Sequence, residues 1–138
     1  MSNNQLKEHD KYWELPFHKK KVLRCYLDYS FGINLGENTF EFEIRINNEF
    51  LYSEKGTDFY FNPEQPETLC PILSIHQKEI FSAVAYKDGS LCLVFQDKSK
   101  LFVKSDPNYE AWEINEFSDR ENRLMVVSIP GGNLAIWK

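Results

Sequence analysis

Phe40-Glu41-Phe42-Glu43-Ile44-Arg45-Ile46-Asn47 is the stretch on which the fold turns. Side chains of an extended chain alternate between two faces. Phe40, Phe42, Ile44 and Ile46 therefore share one face, and Glu41, Glu43, Arg45 and Asn47 share the other. A strand written this way belongs to an antiparallel sheet with one buried face. Its outer charges read as a solvated face. The following Asn47-Asn48 predicts a hairpin turn, because Asn tolerates positive φ. The chain would then return as a strand over 50–52, with another short strand over 58–61.

Upstream, residues 22–27 place Leu23, Cys25 and Leu27 on one side. Phe31, Ile33 and Leu35 alternate next, and Gly36-Glu37-Asn38 turns. Before them, Tyr12, Trp13, Leu15 and Phe17 form an aromatic-apolar patch broken by Pro16. It suits either a helical turn or an extended segment laid on the core. His18-Lys19-Lys20-Lys21 reads as a phosphate patch or as a solvated lead-in to a strand. Residues 1–10 are polar and read as a flexible arm, leaving 11–138 as a single globular domain.

Downstream, Asn62-Pro63-Glu64-Gln65-Pro66 carries helix-start chemistry. Leu69, Ile72, Leu73 and His76 fall at one helical face, with Pro71 shortening the run. One short helix around 64–76 is the expectation. Strands follow at 80–87 and 91–95, joined by Asp88-Gly89, the strongest hairpin signal in the chain. Leu101 and Val103 continue, Asp106-Pro107-Asn108 turns, and strands over 109–114, 124–129 and 134–137 close the chain. The last pair is joined by Pro130-Gly131-Gly132-Asn133. Trp112 and Trp137 sit near the ends of two of these strands, where their indoles would anchor the C-terminus to the core.

Phe31-Ile33-Leu35 lines up with Leu91-Leu93-Phe95 at an offset of sixty residues, and Glu37 with Asp97. Duplication and convergent strand patterning both account for that rhythm. Either way the fold class is α+β, mainly β. Two antiparallel meanders form a curled or split sheet, with one short helix between them.

The 138 residues are 42% hydrophobic and 15% aromatic, enough for a core without metal or disulfide. The net charge of −5 argues against nonspecific nucleic-acid binding. Phe102 among Lys98, Lys100 and Lys104 is too small a basic patch to reverse that. Cys25, Cys70 and Cys92 lack metal-ligand spacing and read as small buried hydrophobes of a reducing compartment. No leader-like or membrane-spanning run stands out, so a cytoplasmic protein without a membrane role is expected.

Chemistry is not selected by any motif. His9, His18 and His76 lie apart, without a nucleophile elbow or zinc spacing. Pro130-Gly131-Gly132 lacks the Lys-Ser/Thr and the helix of a phosphate loop. No catalytic residue, metal ligand or cofactor is assigned, and a non-enzymatic protein is expected. Glu110, Glu113, Glu116, Asp119 and Glu121 form an acidic cluster, relieved by Arg120 and Arg123. It reads as a partner-facing patch complementary to a basic surface, or as a solvated loop and strand face.

The segments Asp88-Gly89-Ser90-Leu91, Tyr109-Glu110-Ala111-Trp112 and Pro130-Gly131-Gly132-Asn133-Leu134-Ala135-Ile136-Trp137 resemble a family of small uncharacterised bacterial proteins. The first half resembles it in rhythm only. The chain departs from that pattern at Asp97-Lys98, where a second Asp-Gly is expected. Members of the family include candidate immunity proteins. The resemblance therefore implies a non-enzymatic protein that binds and neutralises a cognate toxin domain, with the acidic cluster as its surface. The alternative is a small-molecule-binding accessory module with a pocket lined by Trp112 and Trp137.

Overall fold

The structure is a computed structural model that describes residues 5–118 and 123–138. Its strands are β1 (Lys7–Glu8), β2 (Tyr12–Glu14), β3 (Lys21–Leu27), β4 (Phe31–Gly36), β5 (Phe42–Ile46), β6 (Phe50–Glu54) and β7 (Thr57–Phe61). After two 3-10 turns, Pro66–Thr68 and Cys70–Ile75, come β8 (Ile80–Tyr86), β9 (Leu91–Phe95), β10 (Lys100–Val103), β11 (Trp112–Glu116), β12 (Met125–Ile129) and β13 (Asn133–Trp137). One sheet runs β1-β2-β8-β9-β10-β6-β7, the other β13-β12-β11-β5-β4-β3, and all neighbours are antiparallel.

The fold is mainly β, and the sheet splits in two, as the alternation implies. Phe42, Ile44 and Ile46 are fully buried, and so are Phe31, Ile33 and Leu35. Across the interface Phe31 stacks on Phe50 with ring centroids 5.5 Å apart, and Phe17 meets Phe42 at 4.9 Å. One cluster joins the inner faces of both sheets, as in a β-sandwich.

The helical segment is present as 3-10 turns rather than as an α-helix. Pro66 and Pro71 each remove a backbone donor, so an uninterrupted i→i−4 ladder cannot form through them. Ile72 and Ile75 are buried, while Leu73 is 48% exposed. Three further readings are corrected. Residues 7–8, placed in the flexible arm, pair with β2 as an edge strand, tied down by Lys87 Nζ on Glu8 Oε2 at 2.7 Å. Cys70 is exposed, not buried; burial does push the Cys25 thiol up to about 11 and raises Cys92 as well. Asn47-Asn48 does not turn a hairpin. The free side of β5 is occupied by β11, with Ile44 opposite Ile114, so the chain must leave for the other sheet. Asn47 N donates to Ala111 O at 2.8 Å and Asn48 Nδ2 to Lys104 O at 3.3 Å, which binds this crossing to the β10–β11 crossing beside it.

Those two crossings reveal a repeat in topology. In one sheet β8, β9 and β10 are followed by the hairpin β6–β7. In the other, β3, β4 and β5 are followed by β11 and β12. Each sheet thus takes a three-strand meander from one half of the chain and is extended by strands of the other half, β6–β7 with β1–β2 in one sheet and β11–β13 in the other. The first strands of both meanders carry a register irregularity at the same place, between Val22 and Arg24 and between Ile80 and Ser82. Even the lysine before each meander has a counterpart. Lys20 Nζ lies 4.0 Å from Glu37, and Lys78 Nζ lies 2.8 Å from Asp97. Lys20 also donates to Glu41 Oε1 at 2.6 Å.

Lys78 is the more fully built of the two. It donates to Tyr52 OH at 2.6 Å and lies 3.1 Å from both Glu54 Oε2 and Ser99 Oγ. Burial works to raise the Asp97 pKa, but hydrogen bonds from Lys78 and Ser99 outweigh it and hold the carboxyl at about 2. A carboxylate with a depressed folded pKa stabilises above its unfolded pKa, and that contribution fades as pH falls through the folded value. Wild type is therefore expected to lose stability more steeply than Asp97→Asn between about pH 4 and pH 2, and to be the more stable of the two near neutrality. Urea unfolding across that range checks it, and parallel pH profiles would contradict it. Because the Asp97 side chain is half exposed, solvent screening keeps the difference modest.

Candidate functional site

The strand β4 is buried along its whole length, although only one of its faces meets the core. Phe31, Ile33 and Leu35 point inward, so Gly32, Asn34 and Gly36 lie on the outer face and are covered there. The cover comes from the neighbours. Tyr26 on β3 is opposite Gly32, and its ring lies over that position: a Cβ on Gly32 would sit 2.2 Å from Tyr26 Cε1 and Cζ. Arg24 is opposite Asn34 and donates from Nε to Asn34 Oδ1 at 2.7 Å.

From there the outer face continues in two rows across the sheet. The register places Tyr26, Gly32, Arg45, Glu113, Val127 and Ala135 in one row. Arg24, Asn34, Glu43, Asn115, Met125 and Trp137 form the other. Hydrogen bonds tie the rows together. Tyr26 OH donates to Glu43 Oε2 at 2.5 Å, and the Tyr26 pKa is pushed up to about 12, by burial first and then by that bond. Tyr26 accordingly serves as a donor near neutrality, not as a base. Arg45 Nη2 donates to Ser30 Oγ at 3.0 Å, and its Nε lies 3.9 Å from Glu113 Oε1.

Aromatic side chains border this polar grid. Phe40, Phe117 and Trp137 are 42, 48 and 53% exposed. Phe40 and Phe117 pack on each other at 6.4 Å, and the Arg24 guanidinium lies over the Phe40 ring at 4.7 Å and over the Tyr26 ring at 5.3 Å. Arginine and aromatics held on a rigid sheet are the residues that carry binding energy at protein interfaces. The face can grip a partner, and its bracing reduces the ordering cost of doing so.

The acidic cluster read from the sequence is dispersed. Glu113 belongs to the outer face, paired with Arg45. Glu110 is exposed at the sheet-crossing end, where its carbonyl accepts from Asn47 Nδ2 at 3.4 Å. Glu116 is 6% exposed and turned to the inner side, where Oε1 accepts from Leu124 N at 2.9 Å. It is a structural acceptor and leaves the surface set. Asp119 and Glu121 lie outside the described residues. The parity of β11 carries this outcome: positions 113 and 116 are three apart in a strand and cannot share a face.

Trp112 and Trp137 do not line a common pocket. Trp112 is fully buried on the inner face, and Trp137 stands on the outer face of the same sheet. Trp112 Nε1 donates to Gly89 O at 2.9 Å, and Ser128 Oγ donates to the same carbonyl at 2.7 Å. Gly132 closes on this point from the other side, since a Cβ there would lie 3.0 Å from Asp88 O. The Asp-Gly, Trp and Pro-Gly-Gly segments thus meet in space at a structural junction. The departure at Asp97-Lys98 leaves its hairpin unchanged. Lys98 takes the positive φ of 74° that Gly89 takes at 94°, and both Asp side chains accept from the Ser two residues on.

Among the described residues no group of three His, Cys, Asp or Glu is placed to hold a metal ion, and no helix is long and apolar enough to cross a membrane. The residues of the outer face that sequence reasoning missed are Arg24, Tyr26 and Asn34. The available signal was the Gly32-x-Asn34-x-Gly36 alternation opposite three large apolar residues.

A family model described as a family of unknown function (DUF6188) matches residues 13–138. The match spans both halves of the chain, including the first, where the resemblance rested on rhythm alone. No curated protein and no solved structure matches the chain.

Proposed function

The chain belongs to that family of unknown function, and from this premise we propose that it is a non-enzymatic binding protein of immunity type, which neutralises a cognate toxin domain by covering it. The observation that carries the reading is the outer face of β3-β4-β5-β11-β12-β13. It combines an arginine laid over two rings, three exposed aromatics and Glu113 on a sheet cross-linked by side-chain hydrogen bonds. Of the acidic cluster, Glu113 lies on this face and Glu110 stands apart at the sheet-crossing end. Glu116 does not join the face, because it is buried.

The partner to try is any secreted or toxin-like domain that a neighbouring gene encodes. Co-expressed with a tagged copy of that domain, wild type is expected to be retained and to relieve its toxicity. Phe40→Ala with Trp137→Ala is expected to weaken retention by about a hundredfold, a loss typical of two interface anchors. Tyr60→Ala, at a residue 79% exposed on the other sheet, is expected to change nothing. Equal retention by both variants would remove this face from the reading, and absence of any complex or protection would remove the immunity role.

A further inference from the structure

We infer that Arg24 is a carboxylate receptor, built to take an Asp or Glu side chain presented by a protein partner; the source of that carboxylate rests on the binding reading above. Four observations lead there. Arg24 is exposed, yet among the described residues no carboxylate pairs with it. Its neighbour Arg45, one row away, is held by Asp28, Ser30 and Glu113 instead. An arginine with a complete set of partners is a structural brace, whereas among the described residues Arg24 hydrogen-bonds through Nε alone and leaves its terminal nitrogens available.

The anchor is unusual in its burial. Asn34 is 0% exposed, accepts from Arg24 at Oδ1, and keeps an Nδ2 without a hydrogen-bond partner among the described residues. Burying an amide donor unpaired costs stability, because its hydration is lost without replacement. An outer-face position could carry an apolar residue at no such cost, so the asparagine carries a stability penalty while it orients the guanidinium. The Tyr26 and Phe40 rings complete the orientation from a second direction. A guanidinium laid on rings keeps its hydrogen-bonding edge for an incoming group, and that edge matches a planar carboxylate in a bidentate pair.

Charge selects carboxylate over phosphate. Glu43 stands beside Asn34 in the same row and accepts from Tyr26, so its negative charge is part of the site. One arginine next to one glutamate favours a monoanion over a dianion, and the net charge of −5 acts in the same sense. Exposed Phe40 and Phe117 alongside would bury the stem of an acidic side chain, which a bare inorganic ion does not have.

The test follows the Arg24 Nε–H signal by NMR in the full chain during titration with N-acetyl-aspartate amide, which bears a single side-chain carboxylate. N-acetyl-asparagine amide is the neutral isostere, and inorganic phosphate is the competing anion. The aspartate compound is expected to shift the signal about threefold or more beyond the asparagine compound at equal concentration. Phosphate is expected to act more weakly, and Arg45 is expected not to respond. Phe40→Leu, at an exposed position, should reduce the Arg24 response by about threefold without disturbing the rest of the spectrum. Asn34→Ala should abolish it, with Phe40→Leu deciding the matter if that variant does not fold. Equal response to the two amides, or a stronger response to phosphate, would overturn the inference. The binding reading fails separately: a partner captured at wild-type strength by Arg24→Ala keeps that reading and sinks the carboxylate site. A clear aspartate response in a chain that captures no partner does the reverse.

Discussion

Trp112→Ala is expected to cost about 3–5 kcal/mol, the largest loss of any single substitution on the inner face. Domains of this size are stable by about 5–15 kcal/mol, so the variant would be partly unfolded under ordinary conditions. Two contributions add. Trp112 is the largest fully buried side chain, and its removal opens a cavity that a rigid sandwich cannot close. Its Nε1–H also holds Gly89 O, the carbonyl at the tip of the β8–β9 hairpin. That tip is confined, because Gly89 has φ +94° and a Cβ there would lie 2.8 Å from Ser105 Cβ. Losing the indole releases the hairpin of one sheet from β11 of the other and leaves Ser128 on β12 as the remaining side-chain donor to Gly89 O. Trp112→Phe keeps most of the volume and should cost about 1–2 kcal/mol, while Ser128→Ala should cost about 1 kcal/mol, because Gly89 O retains one donor in each. Urea unfolding followed by circular dichroism orders the three. If Trp112→Ala lost less than Trp112→Phe, the junction would not be what joins the sheets.

That junction shows how far residue patterns reach. The alternation of Phe42, Ile44 and Ile46 was legible because strand parity and burial coincide in β5, but Phe40 does not share their face: it precedes the strand, and its exposed ring lies under Arg24. Asp88-Gly89 was legible as a turn, since φ +94° is open to few residues. Asn47-Asn48 was misread because a hairpin and a crossing between sheets ask for the same residues, and only the partner of β5 distinguishes them. Pro71 warned that the helix would be short, and the 3-10 geometry is what a chain does when two prolines deny it a regular ladder. The outer face was the hardest to see. Arg24 matters because of Asn34 on the next strand and Phe40 beyond the following turn, and no single segment contains all three. Glu113 was found as an acid in a cluster, but its neighbour in space is Arg45, not Glu116. A charge cluster along a strand is divided between two faces before it can become a surface.

Gly32→Ala tests the outer face most directly, and it is expected to cost about 1–3 kcal/mol although it only adds a methyl group. The new Cβ would fall 2.2 Å from two atoms of the Tyr26 ring, far inside van der Waals contact. Tyr26 must swing away, and with it go the 2.5 Å bond to Glu43 and the ring under Arg24. The backbone of β4 is not the source of the cost, since Gly32 does not need a left-handed conformation. Tyr26→Ala removes the obstacle in advance. In the Tyr26→Ala background, Gly32→Ala should therefore be near neutral, giving a coupling energy of about 1–3 kcal/mol in the double-mutant cycle. Additive losses would mean that the two side chains do not share this space. The same substitution separates fold from function. Gly32→Ala leaves every inner-face residue in place, so the core should persist while Arg24 loses one of its two rings. Its response to the aspartate amide should then fall as far as in Phe40→Leu, at temperatures where the domain remains folded. An unchanged Arg24 response in a destabilised Gly32→Ala would show that Tyr26 serves the fold alone, and that Asn34 and Phe40 are sufficient to present the guanidinium.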